Sequence, residues 1–167
     1  AQQVVAQLGA VTQLIDQEAT TKNLRTFAPQ ADMLHLATHG LFRADNPIFS
    51  SLKLFDGWLQ AADVLSLNLA GALVTLSACE SGRSQVDAGD EVLGLARAFL
   101  GAGAATLVVS LWLVQDDTTA VLMADWYQKL QSTPTRRAAT LREAQLALKA
   151  QYPHPYYWAP FVLMGRP

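Results

Sequence analysis

Two periodicities of apolar residues run along the chain. Short, continuous apolar runs, many of them β-branched, predict buried strands over 33–38, 72–78, 105–111 and 161–164. Apolar residues at helical spacing predict helices over 91–100, 118–130 and 138–150. In the second of these helices the predicted inner face is formed by Val121, Leu122, Trp126 and Leu130. Strands alternating with such helices predict an α/β layer fold with a mostly parallel sheet covered on both faces.

Weaker signals predict the smaller elements. The first residues, 2–8, have the pattern of a helix end, and 11–15 have that of a short strand. Hydroxyl residues before Leu24 predict a helix that stops near Pro29. The Asp56-Gly57 pair predicts the turn of a hairpin that begins at 51. A short helix is expected over 61–67 and an aromatic loop over 153–160.

Length and composition narrow the class of protein. A chain of 167 residues fits one domain over 1–167, and because it opens at Ala1 within an amphipathic segment we expect it to be cut from something longer. Apolar residues make up 51% and charged residues 16%, which excludes a disordered tail. The net charge of −2 gives no basic field for nucleic acid, and no apolar stretch is long enough to span a membrane. A single cysteine excludes an intrachain disulfide and favours a reducing, cytoplasmic setting.

Two reactive residue types stand at the ends of two predicted strands, His39 after the first and Cys79 after the second. The carboxyl ends of parallel strands are where sites gather, and a thiolate beside an imidazole is a nucleophile with its proton carrier. The N–H groups of Gly40 and Cys79 could hold an oxyanion. Taken singly, Cys79 also fits a small core residue and His39 a loop residue.

Other kinds of site find less support in the sequence. His35 is expected in the core or behind His39, since four residues along a strand separate the two by about 13 Å. His154 between two prolines is typical of a turn, and the neighbouring aromatic residues are typical of a packing lid. No metal-ligand set, serine elbow, phosphate loop or complete dinucleotide motif occurs, so we expect no metal and no cofactor.

Leu34-His35-Leu36-Ala37-Thr38-His39-Gly40 covers the end of the first predicted strand, and Leu76-Ser77-Ala78-Cys79-Glu80-Ser81-Gly82 covers the end of the second. The helix 89–99, the strand and loop 110–119 and the aromatic segment 156–165 follow. In this order the five segments resemble the histidine motif, the cysteine motif and the later elements of the CHAT domains, caspase-like relatives of separase that are often joined to tetratricopeptide repeats. The resemblance covers about residues 10–167.

The resemblance implies a caspase-like three-layer sandwich whose N-terminal strands are missing here, and a cysteine endopeptidase with His39 as base and Cys79 as nucleophile. Protein or peptide substrates and a repeat region of the same longer chain are the implied partners. The alternative is a catalytically silent scaffold domain. Cleavage at Arg83 on activation is also implied, against an uncut surface loop.

The implied substrate pocket concerns three residues. Some arginine-specific relatives carry aspartate two residues before the nucleophile, where this chain has Ser77. The segment 112–116 resembles the separase loop that carries acidic residues at the pocket, which makes Asp116, or its neighbour Asp117, the candidate for selecting a basic residue. Asp116 also fits the cap of a helix starting near Thr118.

Overall fold

The structure is a computed structural model that describes residues 11–43, 45–80, 90–112 and 114–167, with the backbone alone at 78–80 and 90–93. Six strands and six helices are formed by these residues. The strands are β1 (Met33–Leu41), β2 (Ser51–Leu54), β3 (Gly57–Gln60), β4 (Leu73–Glu80), β5 (Thr106–Ser110) and β6 (Phe161–Gly165). The helices are α1 (Thr21–Phe27), α2 (Ala61–Val64), α3 (Asp90–Gly101), α4 (Asp116–Ser132), α5 (Arg137–Gln151) and α6 (Pro155–Trp158).

All six strands form one sheet in the order β3-β2-β1-β4-β5-β6. The central strands β1, β4 and β5 are parallel to one another. The hairpin β2–β3 and the last strand β6 join the two edges in antiparallel pairings. The predicted α/β architecture is therefore confirmed, with the parallel part at the centre of a mixed sheet.

One face of the sheet packs against α1, α2 and α3. This first core joins Leu24 of α1, Val64 of α2 and Phe99 of α3 to alternate residues of the strands, among them Leu52, Leu54, Leu59, Val74 and Leu107. The opposite face packs against α4 and α5, and this second core includes Trp126, Tyr127 and Leu148 with Leu73, Val108 and Phe161. Because alternate side chains of each strand point to opposite faces, the sheet lies between two helical layers, which is the predicted sandwich.

A glycine sets the fit between α3 and the turn that precedes β2. A Cβ on Gly94 would lie 2.3 Å from the carbonyl oxygen of Pro47, which no real contact allows. The short 3-10 turn Pro47–Phe49 can therefore rest directly on α3. The turn leads into β2, so this contact helps to position the hairpin beside β1.

Several element predictions are confirmed. Thr20 caps α1, its side chain accepting a hydrogen bond of 3.2 Å from the backbone N–H of Asn23. The hairpin forms as expected, but its turn is Phe55 and Asp56, since Gly57 is the first residue of β3 and pairs with Leu54. The predicted helix end at 2–8 lies outside the described residues.

Other predictions are wrong in identifiable ways. Residues 11–15 form no strand, and Val11 and Ile15 are exposed, because no strand of the sheet pairs with them in the described part of the chain. The helix α2 ends at Val64 rather than near 67, and the aromatic loop contains the short helix α6. On α4 the predicted inner residues Leu122, Trp126 and Leu130 are buried in the second core. Val121 is exposed instead, and Tyr127 takes a place in that core, so the inner face is turned slightly from the prediction.

None of the helices in the described part of the chain is long and apolar enough to cross a bilayer.

Candidate active site

The two candidate catalytic residues are neighbours in the sheet. The parallel register of β1 and β4 runs from the Met33–Leu73 pair to the Gly40–Glu80 pair and places His39 opposite Cys79. Cα atoms of adjacent strands are separated by roughly 4.8 Å. Forty residues apart in sequence, His39 and Cys79 are therefore brought together by strand pairing alone.

The strands extend further than the sequence predicts. His39 and Gly40 lie within β1, which ends at Leu41, and Cys79 lies within β4, which ends at Glu80. The apolar runs predicted that both residues would follow their strands. Neither does, because strand pairing continues past the last apolar residue of each run. His39 is exposed, whereas Gly40 is buried between β4 and Leu52 of β2.

A partly buried hydrogen-bond chain lies four residues before this pair along the two strands. The Nδ1 atom of His35 is 2.8 Å from the hydroxyl of Tyr127, which in turn donates to Oγ1 of Thr75 at 2.9 Å. His35 and Thr75 are themselves opposite in the register of β1 and β4. Tyr127 thus connects α4 to both strands on the face of the second core.

Burial gives this chain of groups a defined charge state. Desolvation lowers the pKa of His35 to about 4, so its ring is neutral at pH 7. Burial raises the pKa of Tyr127, so its hydroxyl stays protonated. With Tyr127 donating to Thr75, His35 must carry its proton on Nδ1 in order to donate to Tyr127. This environment agrees with the prediction that His35 lies in the core or behind His39. Tyr127 was not predicted as a partner of His35; the signal available in the sequence was its position next to Trp126 on α4.

The residues predicted for a substrate pocket lie at the same end of the sheet. Ser77 is half-buried in β4, opposite Ala37 of β1. Asp116 and Asp117 are exposed in the first turn of α4. The helix begins two residues earlier than predicted, with Gln115 at the N-cap, so Asp116 is not the cap. Arg83 lies outside the described residues.

The described residues contain no group of three or more His, Cys, Asp or Glu side chains placed to hold a metal ion. His154 caps α6, its Nδ1 accepting from the backbone N–H of Tyr156 at 3.2 Å, and so is engaged in a turn as predicted. The aromatic segment packs rather than forming an open platform, since Trp158 contacts the second core and Lys149 lies 4.9 Å from its ring centre.

Comparison with known proteins identifies a family and two relatives that are similar to this chain. The CHAT domain family matches residues 1–166. Tetratricopeptide repeat protein 28 of Homo sapiens is 38% identical over 109 residues, and the protein of the same name from Mus musculus is 36% identical over 109 residues. The aligned segment is 64% of this chain and only 4% of each relative, so the chain corresponds to a small part of those proteins. With a match over nearly its whole length, the chain belongs to the CHAT domain family, whose fold is related to that of the caspase-like peptidases.

Proposed function

We propose that this chain is a cysteine endopeptidase domain in which His39 and Cys79 form a catalytic dyad. The observation that carries the proposal is the register of β1 and β4, which sets these residues opposite each other at the carboxyl ends of two parallel strands. Sites in α/β sheets form at this end of the strands. The exposure of His39 supports access to a substrate and to solvent protons.

The chemistry follows from the two groups. Cys79 sulfur, its proton removed by His39, adds to the carbonyl carbon of the peptide bond. The protonated imidazole then gives its proton to the leaving amine, and the C–N bond breaks to leave a thioester. Water, deprotonated by the same imidazole, attacks the thioester and releases the acid while the thiol regains its proton. No oxidant or cofactor is required by this sequence of steps.

The backbone supplies donors for the oxyanion in this proposal. Leu73 donates its N–H to Asp32, just before the start of β1, and because N–H groups along a strand alternate in direction, the N–H of Cys79 also faces β1. The proposal therefore requires that the N–H groups of Cys79 and Gly40 turn from the β1–β4 pairing toward the substrate. There they would stabilise the negative charge that develops on the carbonyl oxygen, an effect worth about 3 kcal/mol per donor.

Selection of a basic residue before the cut bond is part of the proposal. Asp116 and Asp117 present carboxylates shortly after β5 ends at Ser110, on the side of β4 away from β1. A carboxylate there would pair with Arg or Lys, and with Arg in two hydrogen bonds. Ser77 would line the same pocket without adding charge.

The setting of the domain is also proposed. The relatives are named as tetratricopeptide repeat proteins and are far longer than this chain. We infer a repeat region in the same longer chain that presents substrates or controls access, with the single cysteine favouring the cytoplasm. Cleavage after Arg83 on activation belongs to the same proposal.

The test is cleavage of a peptide library, with products identified by mass spectrometry. The wild-type chain should cut, Cys79→Ala and His39→Ala should not, and His154→Ala should cut as the wild type does. His154 is the matched control because it is a second exposed histidine, outside the sheet. Equal cleavage by wild type and Cys79→Ala would show that the nucleophile is wrongly assigned.

A silent scaffold domain is the second candidate, because the names of the relatives denote repeats and no peptidase. A scaffold needs no reactive thiol. Under this alternative Cys79 should react with alkylating reagents no faster than an ordinary thiol, and Cys79→Ala should leave every partner interaction unchanged.

A further inference from the structure

The hairpin β2–β3 has one covered face and one open face. Leu52, Leu54 and Leu59 are buried in the first core. Lys53 and Trp58 alternate with them and so occupy the other face, where they are opposite each other in the register. Trp58 is 45% exposed, and the Lys53 ammonium lies 5.5 Å from the centre of its ring. We name this pair of side chains the hairpin ledge.

The helices that cover this side of the sheet do not cover the ledge. Among the described residues the second core contains side chains from β1, β4, β5 and β6 and none from β2 or β3. A large indole is therefore left facing outward beside the end of the sheet where His39 lies.

The ledge and His39 share one face of the sheet. Along β1, Leu34 and Leu36 pack against the first core, and His35 contacts Tyr127 on the opposite side. Four residues further along β1, alternation brings His39 to the same side as His35. The pairing of Gly40 with Leu52 makes Lys53 the next position beside His39, and the hydroxyl of Thr38 donates to the carbonyl oxygen of Lys53 there. The strand order then runs from Cys79 through His39 and Lys53 to Trp58.

The reaction under the proposed function, on which this inference rests, sets the direction in which a substrate crosses this row of residues. The carbonyl carbon must lie at the nucleophile, and the leaving nitrogen must lie within hydrogen-bond reach of the general acid. The chain after the cut bond therefore leaves Cys79 over His39, toward β2 and β3. The residue before the cut lies on the other side, toward β5 and the carboxylates that begin α4.

Spacing then identifies the substrate position. Trp58 stands two strands beyond β1, or roughly 10 Å from His39. An extended peptide covers about 3.3 Å per residue, so about the third residue after the cut bond reaches the indole.

We propose that the hairpin ledge is a specificity-determining subsite that binds a large apolar side chain at about the third position after the cut. The exposed indole supplies the contact area, and the Lys53 charge disfavours a basic residue at that position. The ligand is thus the leaving-group half of a protein substrate with an aromatic or branched aliphatic residue there.

The test is a library of otherwise identical peptides that vary only in the five residues after the cut, with kcat/KM compared between variants. Trp58→Ala should lower kcat/KM about tenfold for peptides with Phe or Leu near the third position and leave peptides with Ala there unchanged. Trp58→Phe should restore most of the difference. Phe27→Ala is the matched control, since Phe27 is an aromatic residue of similar exposure, 42%, on a helix of the first core.

The outcomes separate this inference from the function beneath it. Cleavage in which Trp58→Ala leaves the preference after the cut unchanged overturns the subsite and leaves the peptidase standing. A uniform loss for all peptides, or a lowered melting temperature, shows that another part of the protein covers Trp58, and also overturns it. Wild-type protein that cuts no peptide, in an assay where a known cysteine peptidase does, overturns both.

Discussion

The two histidines of β1 stand four residues apart on one face of the sheet, in opposite environments. His35 is held by Tyr127 beneath α4, and burial lowers its pKa to about 4. His39 lies past the cover of that helix and is exposed, opposite Cys79. The same strand therefore carries a neutral histidine that joins layers and a second histidine that is exposed to solvent. What separates the two environments is the helical layer above them, not the residue type.

The largest effect should come from replacing each of these two histidines by alanine and comparing activity with stability. His39→Ala removes the proton carrier and should lower kcat/KM by about 10³-fold or more, with little change in melting temperature because the residue is exposed. His35→Ala should do the reverse, lowering stability while activity per folded molecule persists. Steady-state kinetics and thermal melts on both variants measure this; loss of activity from His35→Ala in fully folded protein would contradict the division.

The pH dependence of stability should single out His35. Its pKa is lowered on folding from 6.5 to about 4, so the unfolded chain binds a proton first as pH falls. The stability that neutral His35 contributes is present above pH 6.5 and is lost progressively between pH 6.5 and about 4, up to about 3 kcal/mol in the free energy of unfolding.

Urea unfolding at a series of pH values tests this directly. His35→Gln can still reach Tyr127 but cannot titrate, so it should flatten the profile over that range. His154→Gln, on an exposed helix cap, should keep the wild-type profile. An unchanged slope in His35→Gln would show that another group is responsible.

Removing the Tyr127 hydroxyl should have a smaller effect. Tyr127→Phe keeps the ring in the core but leaves His35 Nδ1 and Thr75 Oγ1 without their shared partner, at a cost of about 1–3 kcal/mol. Tyr152→Phe is the control, since Tyr152 is 40% exposed. Equal melting temperatures for Tyr127→Phe and wild type would mean that the hydroxyl does not hold β1 and β4 to α4.

The smallest structural change should come from Asp116→Asn. Asp116 lies in the first turn of α4, where its charge adds at most about 1 kcal/mol through the helix dipole. In the proposed pocket, however, the change should reduce cutting after Arg about tenfold and leave other cleavage unaffected. A large drop in melting temperature with unchanged preference would assign Asp116 to the helix alone.

The sequence predicted the elements whose apolar pattern is strong. The core strands β1, β4 and β5 and the long helices α4 and α5 were found because burial on both faces or along one helical face leaves a clear period. The segment 11–15 has a strand-like composition, yet a strand exists only where another strand pairs with it, and that depends on residues distant in sequence.

The same limit applied to the site. Cys79 and His39 were found because each follows an apolar run, but their opposition depends on the register between β1 and β4, which no local pattern encodes. Tyr127 was missed because the helix periodicity was assigned with Val121 inward, a rotation of the face that only packing decides. The proposed subsite at Trp58 could not be predicted, because an exposed indole beside a turn has no sequence signal until the strand order is known.

The most direct test of the proposed dyad is the pH profile of alkylation at Cys79. It is the only cysteine in the chain, so iodoacetamide incorporation reports this thiol alone. With His39 beside it, the native protein should label rapidly, with a midpoint well below the ordinary thiol pKa of about 8.5, and His39→Ala should return the midpoint to about 8.5. Labelling only on unfolding, or the same midpoint with and without His39, would contradict the dyad.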